Sequence, residues 1–374
     1  MHYLADRLSC LDSSDFRTAM RYRLSLKNPI DLSIGIPEEP TPEYIKTAGI
    51  RAIQNDKTTY LPGNGLLDLR KAIAEKLQSE NHLNCSADTV SVVPGLTTGL
   101  LLVYLTVLNP GDEVIIPDPY YPPYPQLAEA VGARAVIVPT QANFQLDIAA
   151  IRAAITPKTK LLVINSPNNP SGAVYPEATL RAVARLADAH DILVLSDEIY
   201  EHFVYDVDHF SIGSMYPKTL TLGGFSKAYA MTGWRLGYVT GPDPIINALN
   251  ELLQYSVMSS SSIAQYAALE GLRKQPDITG KLCEKYHEKR DFVCRALVEM
   301  GFTVEGAQGA YYVLLKTPNG MNDRDFAELA AKHGIVVVAG RAFSKTHDRF
   351  RISYGGSMDT LRRGMDGLSR VVKL

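Results

Sequence analysis

The chain has 374 residues, 46% of them hydrophobic, and a formal net charge of −2. That length supports a large core shared by more than one domain, and so balanced a charge gives no electrostatic reason to expect nucleic acid or an anionic membrane as partner. No apolar run reaches membrane-spanning length, and Cys10, Cys85, Cys283 and Cys294 show no CxxC or His/Cys spacing, which points away from zinc and disulfides and toward a reducing cytoplasm.

The N-terminus, MHYLADRLSCLDSSDFR, carries acidic residues early and no long apolar stretch, so it reads as neither a secretory signal nor an anchor. A short helix is expected over 16–26, within an arm lying on the body or on a partner subunit. IDLSIGIP, 30–37, alternates as a strand and stops at Gly35 and Pro37; a helix then runs from the prolines at 40 and 42 through 53. Gly35 either lets backbone approach a ligand or only makes a turn. Tyr60 follows on a turn-rich segment before a helix from about 66. The Gly63-Asn64-Gly65 triplet is not a dinucleotide loop, because no strand precedes it and the third glycine position is Asp68.

From Thr89 onward short apolar runs alternate with helical segments, the pattern of βα units on a largely parallel sheet. VSVV is a strand, 94–98 a turn and 99–108 a helix. Gly95-Leu96-Thr97-Thr98 offers free amides and hydroxyls at a positive helix end, which suits a phosphate, although threonine is also an ordinary N-cap. EVIIP ends in Asp118-Pro119-Tyr120-Tyr121-Pro122, where prolines would hold Tyr121 as a plate against a flat ring or in the core. ARAVIVPT and KLLVIN are further strands, the second leading into the polar loop SPNNPSG, whose buried amides need partners. In ILVLSDEIY a strand over 192–195 puts Asp197 at its carboxyl end. A carboxylate there needs a lasting cation or a shared proton, unless it only caps the next helix; Tyr200 can point into the same cavity.

The stretch TLTLGGFSKAYAMTGWRLGY places one lysine and one arginine in a glycine-rich, aromatic setting. Held among Phe225, Tyr229, Met231 and Trp234, Lys227 loses hydration and becomes a usable nucleophile toward a carbonyl. Arg235 keeps its charge and offers a planar fork for a phosphate. A surface lysine and a salt-bridged arginine are the plainer alternative. LGYVTGP is expected as an antiparallel strand at the sheet edge, followed by helices over 245–253, 263–272 and 279–300. The C-terminal part alternates strands in AYYVLLK, IVVVAG and FRISYGG with helices over 323–333 and 358–371, an α+β pattern. Arg351, in a strand among hydrophobes, demands a carboxylate, internal or brought by a ligand.

Strand ends are where open α/β sheets bind ligands. An amine for a carbonyl, a carboxylate for a lasting cation, a phosphate turn and a stacking aromatic together match pyridoxal phosphate. The chain resembles the fold-type I pyridoxal-phosphate enzymes, specifically the class I/II aminotransferases, from about residue 30 to the C-terminus, most closely in FSKAYAMTGWRLGY, SDEIY and NNPSG. The resemblance implies that Lys227 is the Schiff-base lysine and proton shuttle, that Asp197 holds the ring nitrogen protonated, and that Tyr200 and Asn169 bond the ring hydroxyl. It implies that Tyr121 and Ile199 pack the two ring faces, and that Gly95, Leu96, Thr97 and Arg235 hold the phosphate. Tyr60 is similar to a tyrosine that reaches the phosphate of the neighbouring subunit, so a homodimer with shared sites is expected. Arg351 is similar to the arginine that clamps the substrate α-carboxylate, with Gly35 on the substrate side and Asn169 shared. Where relatives often have a serine, Gly224 stands here, with Ser226 or Thr97 as compensation.

The implied fold is α/β: a large domain with a mostly parallel seven-stranded sheet between helices, and a smaller α+β domain. Expected boundaries are 1–40 for the arm and part of the small domain, 41–285 for the cofactor domain and 286–374 for the rest of the small domain. The implied reaction moves an amino group between an L-amino acid and a 2-oxo acid by a ping-pong mechanism. The phosphate turn lacks the lysine that serves some aspartate-specific relatives, which weakens a dicarboxylic substrate unless an arginine such as Arg341 supplies the charge. The alternatives are a carbon–sulfur β-lyase on the same scaffold and a cofactor-sensing regulator; the regulator would need an added DNA-binding domain for which no segment is left.

Overall fold

The computed structural model describes residues 3, 5–8, 11 and 15–373; Cys10 lies outside them. The strands in chain order are β1 (Ile30–Asp31), β2 (Val90–Val93), β3 (Glu113–Asp118), β4 (Arg134–Pro139), β5 (Thr159–Asn165), β6 (Leu193–Asp197), β7 (Thr219–Gly224), β8 (Gly237–Thr240), β9 (Tyr312–Lys316), β10 (Ile335–Val336), β11 (Val338–Ala339) and β12 (Arg349–Ser353). The run β2 to β8 forms a seven-stranded sheet in the order β2, β8, β7, β6, β5, β3, β4. Its pairs are parallel except where β8 runs against β2 and β7.

The two-residue period of a strand explains why this sheet is covered on both sides. Val114, Ile116, Leu161, Val163 and Leu195 point to one face, where they meet the helices Leu96–Val107 and Asp243–Ser256. Ile115, Leu162, Ile164 and Val194 point to the other, against the helices Ile148–Ala154 and Glu177–Ala189. Each such aliphatic side chain contributes roughly 1.5–3 kcal/mol by leaving water. Continuous burial of that kind explains why these runs read as apolar without alternation.

The remaining strands form two small sheets. Antiparallel β11, β12 and β9 lie together, and β1 pairs parallel with β10. The helix Met358–Val371 starts at Ser357, whose hydroxyl accepts from the Thr360 amide, and buries Leu361, Met365 and Leu368 along one face.

Three expectations are corrected. LGYVTGP is not an edge strand: β8 lies between β2 and β7 with all four residues buried, and VSVV takes the edge. The helix expected from residue 99 starts at Leu96, because Gly95 at φ 86° caps it and turns the chain directly from β2. Of 30–37 only β1 joins a ladder. The carbonyls of Ser33 and Gly35 are left to accept side-chain bonds instead.

Candidate active site

A cavity of about 290 Å³ opens where the carboxyl ends of β5, β6 and β7 meet the small antiparallel sheet. On its wall stand Gly35, Leu96, Thr97, Tyr121, Asn169, Asp197, Ile199, Tyr200, Ser226, Lys227, Arg235 and Arg351. Gly95 sits one residue before Leu96 as the cap of the helix whose first turn reaches that wall. The exception is Tyr60, which is 77% exposed and absent from the cavity wall of its own chain.

Asp197 ends β6, is 6% exposed, and accepts hydrogen bonds from the Tyr124 hydroxyl at 2.8 Å and the Ile199 amide at 3.2 Å. Burial pushes its carboxyl up to about 6, with neighbouring Glu198 adding in the same sense. Three residues past β7, Lys227 donates from Nζ to the Gly35 carbonyl at 2.7 Å and lies 5.6 Å from the centre of the Tyr200 ring. Burial first, then the Arg351 and Arg235 guanidinium groups, lower its pKa to about 8, against the pull of Asp197. A free amine near neutral pH is what nucleophilic attack on a carbonyl requires.

Arg235 occupies the left-handed region at φ 54°, ψ 59°, and its Nη1 donates to the Thr232 carbonyl at 2.9 Å. A non-glycine residue in that region costs roughly 1 kcal/mol or more, which a positioned side chain can justify. A Cβ on Gly95 would collide with Arg235 Nη2, so guanidinium and helix N-terminus share one corner. Anion-seeking backbone amides and a fixed cation there form a site suited to a phosphate.

Arg351 rises from the middle of β12 and is 1% exposed. Its Nη1 donates to Asn169 Oδ1 at 3.0 Å, and its Nη2 donates to the Ser33 carbonyl. The guanidinium lies 4.4, 4.6 and 5.1 Å from the ring centres of Tyr312, Phe343 and Phe16. Nε is buried without a partner among the described residues. A guanidinium carries five N–H donors, so enough remain to grip a carboxylate by two.

Lys227, Arg235 and Arg351 have no carboxylate within ion-pair distance among the described residues, and Asp197 is the one acidic side chain on the cavity wall. Such a surplus of positive charge converging on one cavity, with Arg351 fully buried, calls for anionic ligands. A phosphate and an amino-acid carboxylate would supply them, so these residues fit pyridoxal phosphate with its substrate.

Several contributors went unseen in the sequence. Tyr312 shares a 2.7 Å hydrogen bond with the Tyr200 hydroxyl and lies over Arg351. Tyr124 supports Asp197, and Phe16 roofs Arg351. The adjacent tyrosines of GAYYV and the repeated tyrosines of PYYPPYP were the available signals; Phe16 had none, since its partners lie hundreds of residues away. Arg341 is no reserve cation for a ligand, because Asp323 and Asn322 hold its guanidinium and it stands off the cavity wall. The glycine at 224 has a packing reason: a Cβ there would lie 2.6 Å from Leu96 Cδ1, and one on its cross-strand neighbour Gly237 would strike the same methyl.

Comparison with known proteins agrees with this geometry. The family model for class I and II aminotransferases matches residues 27–368. The aspartate/prephenate aminotransferase of Thermus thermophilus is 40% identical over 350 residues, covering 92% of this chain and 91% of its own. Aromatic-amino-acid aminotransferase 2 of Thermococcus litoralis is 35% identical over 382 residues, covering 99% and 98%. The structure of Thermus thermophilus aspartate aminotransferase with maleate superposes with a TM-score of 0.95 at 38% identity, covering 99% of this chain and all of that one. These relatives do not favour the β-lyase alternative. By family match and by fold, the chain belongs to the class I and II aminotransferases, pyridoxal-phosphate enzymes that pass an amino group between an amino acid and a 2-oxo acid.

Proposed function

We propose that Lys227 is the residue that engages the cofactor and the substrate proton, with Asp197, Arg235 and Arg351 fixing ring, phosphate and substrate carboxylate around it. The supporting observation is that these three cations and one carboxylate share a single cavity and that, among the described residues, none of the three cations has a carboxylate partner. When bound, pyridoxal phosphate supplies an aldehyde carbon and a ring that takes up the electrons released at the substrate α-carbon.

The protein side of the work follows from the contacts. Lys227 Nζ, uncharged for part of the time because burial opposes its ammonium form, would be the amine that condenses with a carbonyl carbon, water leaving, and when freed would be the base that takes up and returns the α-proton. Asp197, steadied by Tyr124 and the Ile199 amide, would offer its carboxylate to a protonated ring nitrogen. Asn169 and Tyr200 would flank that ring, Tyr121 and Ile199 would pack its faces, and Leu96, Thr97, Ser226 and Arg235 would hold the phosphate, all of them lining the one cavity. Arg351 binds the α-carboxylate and thereby sets which bond at the α-carbon points toward Lys227.

We further propose a homodimer in which Tyr60, exposed and away from its own cavity, completes the partner's site. The residues 1–40, 41–285 and 286–374 are proposed as the three structural divisions, in keeping with the separate sheets. A reducing cytoplasm agrees with the free thiols of Cys85, Cys283 and Cys294, and none of the described helices is long and apolar enough to cross a membrane. The deciding experiment adds amino acids to purified holoenzyme, follows loss of the cofactor's absorption, and asks which 2-oxo acid restores it. A Lys227→Ala variant that still turns over at the wild-type rate would refute the assignment.

A further inference from the structure

Behind the cavity wall lies a buried carboxylate that the roles assigned above leave unused. The turn after β6 alternates: Asp197, Ile199 and Tyr200 line the cavity, whereas Glu198 stands off its wall and is 1% exposed. The Glu198 amide donates to the Leu222 carbonyl of β7 at 2.9 Å, and its carbonyl accepts from the Glu201 amide at 3.0 Å. One carboxylate oxygen accepts from the Ser196 and Ser211 hydroxyls, each at 2.7 Å. The other accepts from Asn81 Nδ2 at 3.1 Å and from His209 Nε2 at 3.3 Å. His209 Nδ1 is buried without a partner among the described residues, so the ring's proton belongs on Nε2, facing the carboxylate.

Hydrogen-bond donors satisfy the oxygens of a carboxylate without cancelling its charge. Among the described residues no lysine or arginine lies within ion-pair distance of Glu198. Lys76, on the helix Leu67–Glu80, is committed elsewhere: its Nζ lies 2.5 Å from Glu201 and donates to Asn81 Oδ1 at 2.7 Å. Glu80 on the same helix lies 3.7 Å from Lys76 and 3.2 Å from His202. Tyr229 and Tyr238 complete the surroundings, and burial holds both hydroxyls well above their ordinary pKa, hence uncharged. The charge of Glu198 therefore reaches Asp197, one residue away, and raises its proton affinity in the same sense as burial, while Lys227 pulls the other way. No second copy of the chain alters these contacts, since Glu198, Asn81, Ser196 and Ser211 are all buried within one chain.

We propose that Glu198, held by Ser196, Ser211, Asn81 and His209, is a positioning residue whose negative charge acts through Asp197 to keep the cofactor's ring nitrogen protonated. This rests on the placement of that nitrogen at Asp197. The test titrates the visible absorption of the holoenzyme with pH. Glu198→Gln keeps the shape and removes the charge, and the midpoint moves to lower pH by about 0.5 or more, the alkaline limb of kcat/KM moving with it. Glu198→Asp keeps the charge and restores most of the shift. Ser211→Ala removes a bond but no charge, so it lowers the melting temperature by about 2 °C and leaves the midpoint in place. Should Glu198→Gln fail to fold, His209→Lys, at the rim of the network, sets an ammonium against Glu198 and lowers the midpoint in the same way. An unmoved midpoint in the charge variants, or an equal shift in Glu198→Asp or Ser211→Ala, overturns the proposal. Asp197→Asn tells the two failures apart. A midpoint unmoved there refutes the placement of the ring nitrogen and takes the proposal with it, whereas a midpoint that moves there but not in Glu198→Gln refutes the proposal alone.

Discussion

At the ends of β6 and β7 local contacts share in fixing the side chains: Asp197 accepts from the Ile199 amide and Arg235 donates to the Thr232 carbonyl, while Tyr124 and Gly35 reach Asp197 and Lys227 from distant segments. Arg351 on β12 is fixed by Asn169 and Ser33, which lie 182 and 318 residues away. One wall of the cavity is thus set in part by local turns at strand ends, where amides and carbonyls are free to hold side chains. The other exists only once distant segments have met. On the roles proposed for these residues the first wall serves chemistry and the second recognition, and variants on the two should divide between kcat and KM.

The largest expected effect is on the first wall. Lys227→Ala reduces turnover by about ten-thousand-fold or more while far-ultraviolet circular dichroism shows the fold unchanged. Asp197→Ala comes next, with a loss of about a thousand-fold in kcat and cofactor still bound by absorbance, since an uncharged ring nitrogen accepts electrons poorly. Arg351→Lys probes the second wall. Replacing a two-point grip by a point charge raises KM for amino acids by about a hundred-fold with a smaller change in kcat, read in steady-state kinetics. Should Arg351→Lys depress kcat as strongly as Asp197→Ala does, the division between the walls fails.

Smaller effects sharpen the same contrast. Tyr312→Phe removes one hydrogen bond to Tyr200 and lowers kcat/KM by about fivefold, corresponding to about 1 kcal/mol. In cofactor-free protein, Lys227→Met raises the melting temperature by about 2 °C at pH 7. The fold disfavours the lysine's charge, lowering its pKa from 10.5 to about 8. Below pH 8 both folded and unfolded chains are protonated there and the opposition is at full size. Between about pH 8 and 10.5 the unfolded chain holds the extra proton, so wild-type stability rises with pH and the advantage of Lys227→Met disappears.

The same division decides how much could be read from the residues alone. Lys227, Asp197 and Arg235 were legible because strand, turn and polar residue adjoin in one short run, and the period of the apolar residues locates the strand end. Arg351 was legible as a problem, a buried cation needing a partner, but its ring-lined setting was not, since Phe16, Tyr312 and Phe343 come from three other segments. Strand order failed for a related reason: GYVT is apolar enough for an interior or an edge position, and only pairing with VSVV decides between them. The early start of the helix at Leu96 was hidden by Pro94 and Gly95, which read as a turn although Gly95 is the cap.

Leu96 reaches across β7 and β8 into room left by two opposed residues that lack side chains. Any lineage or engineer restoring a hydroxyl at position 224 must therefore trim Leu96 first. In the reverse order the intermediate is overpacked, at a cost of about 1–3 kcal/mol. The absent serine and the leucine in the phosphate turn are one trait with two addresses, and that dependence makes the change hard to undo a single step at a time.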